Sequence, residues 1–104
     1  MRRVRPQPAP GDVVNGQLRI DVAARQVSVD GTVVELTRKE FELLYLLASR
    51  PGTVVTRKQI IAQVWGESYS RRTIDTHISS VRGKLGGSEW ILTVRGVGFR
   101  LGHG

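Results

Sequence analysis

The sequence contains no cysteine. That absence excludes a disulfide framework, a thiolate zinc site and a thiol nucleophile together. No apolar run approaches the roughly 18 residues of a membrane span. The opening "MRRVRPQPAPG" has a basic start with no apolar stretch behind it, so it does not read as a secretory signal. Histidine is scarce as well. His77 and His103 are the only two, neither has a nucleophile or a paired carboxylate nearby in sequence, and no His or Cys cluster has metal-ligand spacing. The residues therefore give no footing to an enzyme, a metal site or a cofactor. A cytoplasmic chain of one domain is expected, since 104 residues with 39% hydrophobic content can bury a modest core.

Acidic residues are scarce where basic ones gather. Residues 57–104 carry eight Lys or Arg against three acids, residues 12–56 carry five against six, and residues 1–11 hold three arginines and no acid. Most of the net charge of +7 thus belongs to the C-terminal half. Concentrated positive charge points to an anionic partner, nucleic acid or a lipid surface. A merely soluble surface would also carry such charge, so charge alone does not decide.

Three of the four prolines lie in the first eleven residues, which have almost nothing to bury. Residues 1–15 are expected to be a flexible linker, with the folded domain over 16–102. Short β segments follow: "QLRID", "RQVSV" and "TVVEL", the last two joined by the tight-turn pair Asp30-Gly31. "LTRKEFELLYLLASRPG" then predicts a helix. Thr37 and Glu40 have the spacing of a capping box, Phe41, Leu44, Leu47 and Ala48 make an apolar side widened by Leu43 and Tyr45, and Pro51-Gly52 stops it. "VVTRKQIIAQVWG" predicts a shorter helix capped by Thr56, burying Ile60, Ile61, Val64 and Trp65 and ending at Gly66. After the connection "GESYS", a third helix is expected over "RRTIDTHISSVRGKL", and "EWILTVRGVGFRL" reads as a hairpin of Ile91 to Arg95 and Val97 to Leu101.

The third helix raises the functional question. Ile74, Ile78, Val81 and Leu85 form a narrow core stripe, which leaves Arg72, Thr73, Thr76, His77, Ser79, Ser80 and Lys84 on the polar side with Arg82 at its edge. Long cations suit phosphates, and short hydroxyls allow close approach to base edges in a major groove. Taken alone, an ordinary solvated amphipathic helix is an equal reading. Its setting favours nucleic acid: a short helix, a tight connection and the basic helix make a helix-turn-helix, and the hairpin that follows can carry Arg95 to a minor groove.

"LTRKEFELLYLL", "PGTVVTRKQIIAQVWG", "RRTIDTHISSVRGKL" and "LTVRGVGFRL", in that order, resemble the successive signatures of the winged-helix effector domain of OmpR/PhoB-type response regulators. The resemblance covers about residues 16–102. It implies an α+β winged helix-turn-helix: a four-stranded N-terminal antiparallel sheet, three helices and a C-terminal β-hairpin wing. Three strands are visible before the first helix, so the fourth is expected within Val33 to Leu36 or around Thr53 to Val55. The resemblance also implies sequence-specific binding of promoter DNA by a transcription regulator. Thr76, Ser79, Ser80 and Arg95 are then expected at bases, and Arg57, Arg71, Arg72, Thr73, His77, Arg82, Lys84 and Thr93 at phosphates. Family members often have arginine in place of Ser79 and Ser80, so this chain's base preference is its own and its salt dependence should be shallower.

The family further implies a chain that is monomeric alone and pairs head to tail on direct repeats of DNA. It implies a possible RNA polymerase contact at residues 66–70, a connection shorter than in many relatives. It also implies an upstream receiver domain answering to a sensor kinase. Nothing here resembles a receiver, and the Pro-rich start suggests a break in the linker. The rival reading is a winged-helix module that binds protein, for which DNA binding at moderate salt should be absent.

Overall fold

The computed structural model describes residues 13–66 and 71–102, with side chains for all of these but 15, 71–73 and 88. Four strands open it as an antiparallel meander: β1 (Val13–Asn15), β2 (Leu18–Asp21), β3 (Gln26–Val29) and β4 (Thr32–Val34), in the spatial order of the sequence. Alternation sets the two faces. Leu18, Ile20 and Val27 are buried, while Val14, Arg19, Ser28 and Val33 pair in one row across the other face. The β3–β4 turn uses Asp30 and Gly31, both at positive φ (52° and 82°), as a two-residue hairpin turn requires.

The fourth strand is β1, residues expected in the linker. Three residues with one short apolar pair, Val13 and Val14, carry too little pattern to be seen before their pairing with Leu18 to Ile20 is known. The Thr53 to Val55 alternative does contain strand, but in another sheet. β5 (Val55–Thr56) pairs with β7 (Gly98–Leu101), which in turn pairs with β6 (Ile91–Val94), giving the order β5-β7-β6.

Helix α1 (Arg38–Ala48) is the centre of the core, with Phe41, Leu43, Leu44, Leu46, Leu47 and Ala48 all buried. It packs against β1, β7, the third helix and the turn Ile61–Trp65 that follows the second. Its capping box is complete: Glu40 N–H donates to Thr37 Oγ1 at 3.2 Å and Thr37 N–H to Glu40 Oε1 at 2.8 Å. Helix α2 (Arg57–Ile60) repeats the box with Thr56 and Gln59. It then widens into a π-helical turn, Ile61–Trp65, closed by Gly66 N–H donating to the Ile61 carbonyl at 2.6 Å. This turn leaves Ile61 and Trp65 half-buried rather than buried, while Ile60 and Val64 enter the core. Helix α3 spans Arg71–Leu85, and residues 67–70, within the expected polymerase-contact loop, lie outside the described residues.

Gly98 is required by the second sheet. A Cβ there would overlap the Val55 carbonyl, because the backbone of the paired strand β5 approaches Gly98 closely. The wing strands end one residue short of the expected hairpin at its tip, so Arg95, Gly96 and Val97 form the turn, closed by Val97 N–H donating to the Val94 carbonyl at 2.9 Å.

Candidate nucleic-acid interface

Burial on α3 follows the helical period. Ile74, Ile78, Val81 and Leu85 are 0 to 5% exposed. The opposite side carries Asp75, Thr76, Ser79 and Gly83, all exposed. Thr76, Ser79 and Gly83, spaced i, i+3 and i+7, run as one line of small residues along the outward face. Thr76 and Ser79 therefore stand where sequence spacing puts them.

Ser80 and Lys84 are turned toward α1, although Lys84 remains exposed. Ser80 Oγ donates to Glu40 Oε2, and Lys84 Nζ donates to Glu40 Oε1 at 2.7 Å. Glu40 is 4% exposed, and a carboxylate so buried demands donors. Two α3 residues one turn apart supply them. Burial pushes the Glu40 carboxyl up, but the hydrogen bonds from Lys84, Ser80 and Thr37 and the Lys84 charge outweigh it and hold the group at about 2. The expected base contact of Ser80 and phosphate contact of Lys84 thus meet groups already engaged with α1. Glu40 reads from sequence as a capping residue only, and nothing local announces a partner forty-four positions away.

The other flank of α3 is tied to the wing. Arg82 donates to the Ile91 carbonyl through Nε at 2.9 Å and Nη2 at 2.6 Å, and Nη2 also reaches Thr93 Oγ1 at 2.8 Å. Two expected phosphate contacts, Arg82 and Thr93, are brought together here, and the guanidinium acts as a clamp between α3 and β6.

Of the remaining expected contacts, Arg57 pairs with Asp75 at 3.2 Å and lies over the Phe99 ring at 4.7 Å. His77 is half-buried with its ring edge-on to Trp65, centroids 4.8 Å apart. Arg95 is exposed at the wing turn and makes no hydrogen bond or ion pair among the described residues. Arg71, Arg72 and Thr73 open α3, but their side chains lie outside the described ones. Lys58, which sequence spacing did not single out, is exposed beside the wing turn. Its signal was present: no acid lies three or four positions away on either side.

Among the described residues no group of His, Cys, Asp and Glu side chains could hold a metal ion, and no helix is long and apolar enough to cross a membrane.

Residues 31–101 match the family described as "Transcriptional regulatory protein, C terminal". Over 91 residues the chain is 46% identical to the transcriptional regulatory protein VxrB of Vibrio cholerae, covering 86% of this chain and 37% of that protein. It thus spans well under half the length of this curated relative. Among solved structures it is similar to the response regulator DrrB of Thermotoga maritima, an OmpR/PhoB homologue (34% identity, TM-score 0.81, covering 90% of this chain and 45% of that one). It is also similar to the DNA-binding domain of Klebsiella pneumoniae RstA in complex with the RstA box (31% identity, TM-score 0.80, covering 88% and 96%). With its four-stranded sheet, three helices and wing, the chain belongs to the family of transcriptional regulatory protein C-terminal domains, the winged-helix DNA-binding output domains of OmpR/PhoB-type response regulators.

Proposed function

We propose that this domain reads a specific site on duplex DNA by laying α3 in the major groove while the wing turn carries Arg95 into the adjacent minor groove. The observation that carries this reading is the exposed line Thr76, Ser79 and Gly83 on a helix clamped to the wing by Arg82. Small side chains let a helix sit deep against base edges. A guanidinium exposed on a tight turn, with no hydrogen bond or ion pair among the described residues, suits a narrow A·T-rich minor groove. The RstA domain, similar in fold, is bound to its DNA box.

Thr76 and Ser79 take the base contacts in this reading, and Ser80 joins them only by leaving Glu40. Arg71, Arg72, Thr73, His77 and Thr93 lie along the phosphates, with Arg57, Arg82 and Lys84 set back in their protein contacts. Two copies bind head to tail on direct repeats, the free chain being a monomer. In the full-length regulator an upstream receiver domain, addressed by a sensor kinase, sets when this happens, and RNA polymerase meets the loop of residues 66–70.

Selection from random duplex DNA at near-physiological salt tests the core of this reading. Enrichment of a pair of direct repeats about one helical turn apart is expected. A folded domain that enriches no sequence would overturn it.

A further inference from the structure

Six basic residues of the C-terminal half have described side chains: Arg57, Lys58, Arg82, Lys84, Arg95 and Arg100. Three are engaged inside the protein. Arg57 is held by Asp75 and the Phe99 ring, Arg82 by the Ile91 carbonyl and Thr93, and Lys84 by Glu40. Arg100 is half-buried within β7. Lys58 and Arg95 are the two that are exposed and without a hydrogen bond or ion pair among the described residues.

They also stand on one side of the domain. Lys58, Thr56, Arg57, Gly96 and Val97 line an open cleft of about 300 Å³ between α2 and the wing turn, and Arg95 adjoins Gly96 on that turn. Val97, 48% exposed, makes its apolar wall. Arg57 lines the cleft too, but its guanidinium is shared with Asp75 and the Phe99 ring, so the Lys58 ammonium is the lining cation that has no hydrogen bond or ion pair among the described residues.

We infer that this cleft receives a phosphate of the DNA backbone, with Lys58 as its cation, and that Lys58 and Arg95 carry ionic contact that Arg57 and Lys84 do not. The inference rests on the duplex-binding reading. It gives the role to Lys58 rather than to its sequence neighbour Arg57, whose guanidinium is held by Asp75 and the Phe99 ring. A backbone phosphate has no sequence identity, so Lys58 supplies affinity and register but no base preference.

The test measures affinity of the 104-residue chain for its selected duplex and for a shuffled duplex across a salt series. Variants Lys58→Gln and Arg57→Gln are compared, each with its melting temperature. Each phosphate neutralised contributes about 0.9 to the slope of log affinity against log salt. Lys58→Gln is expected to weaken both duplexes by the same several-fold factor, to lower the slope by about 0.9 and to leave the melting temperature unchanged. Arg57→Gln is expected to lower the melting temperature and leave the slope. An unchanged slope in Lys58→Gln, with wild-type protein binding its duplex, overturns this inference alone. Wild-type protein that binds no duplex overturns the duplex reading and the inference with it.

Discussion

Glu40 and Lys84, forty-four residues apart in sequence, meet at 2.7 Å between α1 and α3, the carboxylate buried and the ammonium at the surface. Ser80, one turn before Lys84, donates to the other oxygen of the same carboxylate. Across the helix, Arg82 holds the Ile91 carbonyl and Thr93 of the wing. Helix α3 is therefore pinned on both flanks by contacts within the domain, and these fix which line of residues faces outward. Its rotation about its own axis is set before any partner arrives, so contacts made elsewhere on α3 cost little ordering on binding.

The Glu40 node should dominate the acid limb of stability. Its folded carboxyl titrates at about 2 against an ordinary 4.5, so between those values the unfolded chain binds the extra proton. The contribution is complete above about pH 4.5, on the order of 3 kcal/mol at most, and fades as pH falls toward 2. Urea unfolding at pH 6 and pH 3 should show Glu40→Gln less stable than wild type at pH 6, with more than half of that gap closed at pH 3. Glutamine does not titrate, so the change of the gap with pH, rather than the gap itself, isolates the ionisation of Glu40. An acid slope identical in the two proteins would remove the node from the account.

Ser79 and Ser80 should separate cleanly despite being adjacent. Ser79 is exposed, and Ser79→Ala is expected to leave stability unchanged while altering preference at one base position, an effect on the order of 1 to 3 kcal/mol. Ser80→Ala removes a donor from a buried carboxylate, so a stability loss of about 1 to 3 kcal/mol is expected with base preference retained. Selection profiles and unfolding curves on both variants decide it. A changed profile in Ser80→Ala would show that its hydroxyl leaves Glu40 for DNA.

What could be read from sequence follows the range of the interaction. The Thr37–Glu40 capping box, the Thr56 cap, the apolar side of α1 and the stripe Ile74, Ile78, Val81 and Leu85 depend on residues within four positions of each other, and each appears in the structure. The outward placing of Thr76 and Ser79 follows from the same period. Strand β1 was not legible, because three residues acquire strand identity only through pairing with β2. The engagement of Lys84, Ser80, Arg57 and Arg82 was not legible either: their partners are nine to forty-four positions away, and a cation's sequence neighbours do not reveal a distant carboxylate or carbonyl. Charge counting thus located the electropositive half but not which of its cations remain available.

If Arg82 acts by fixing the wing, its removal should matter most when Arg95 is present. Arg82→Ala alone leaves the Ile91 carbonyl without its donor and lets the wing move relative to α3, so the Arg95 contact loses its register. A double-mutant cycle of Arg82→Ala and Arg95→Ala on DNA affinity is expected to show coupling of at least about 0.5 kcal/mol, the double variant losing less than the sum of the singles. Additive losses would instead mark Arg82 as an independent phosphate contact.

Gly83 poses the sharpest opposition between stability and binding. It lies inside α3 on the exposed face, where glycine is about 1 kcal/mol less favourable than alanine, and a Cβ added there meets no atom within 4 Å. Nothing among the described residues asks for glycine at this position. Gly83→Ala should therefore raise the melting temperature by roughly 4 to 8 °C, the shift about 1 kcal/mol gives a domain of this size. If Gly83 continues the line Thr76 and Ser79 against the groove, the added methyl meets DNA, and affinity for the selected duplex should fall several-fold. Thermal melts and duplex titrations on the one variant read both effects. A stabilised protein with undiminished affinity would place the closest approach of α3 to DNA nearer its start, around Thr76, and confine base reading to the first two turns of the helix.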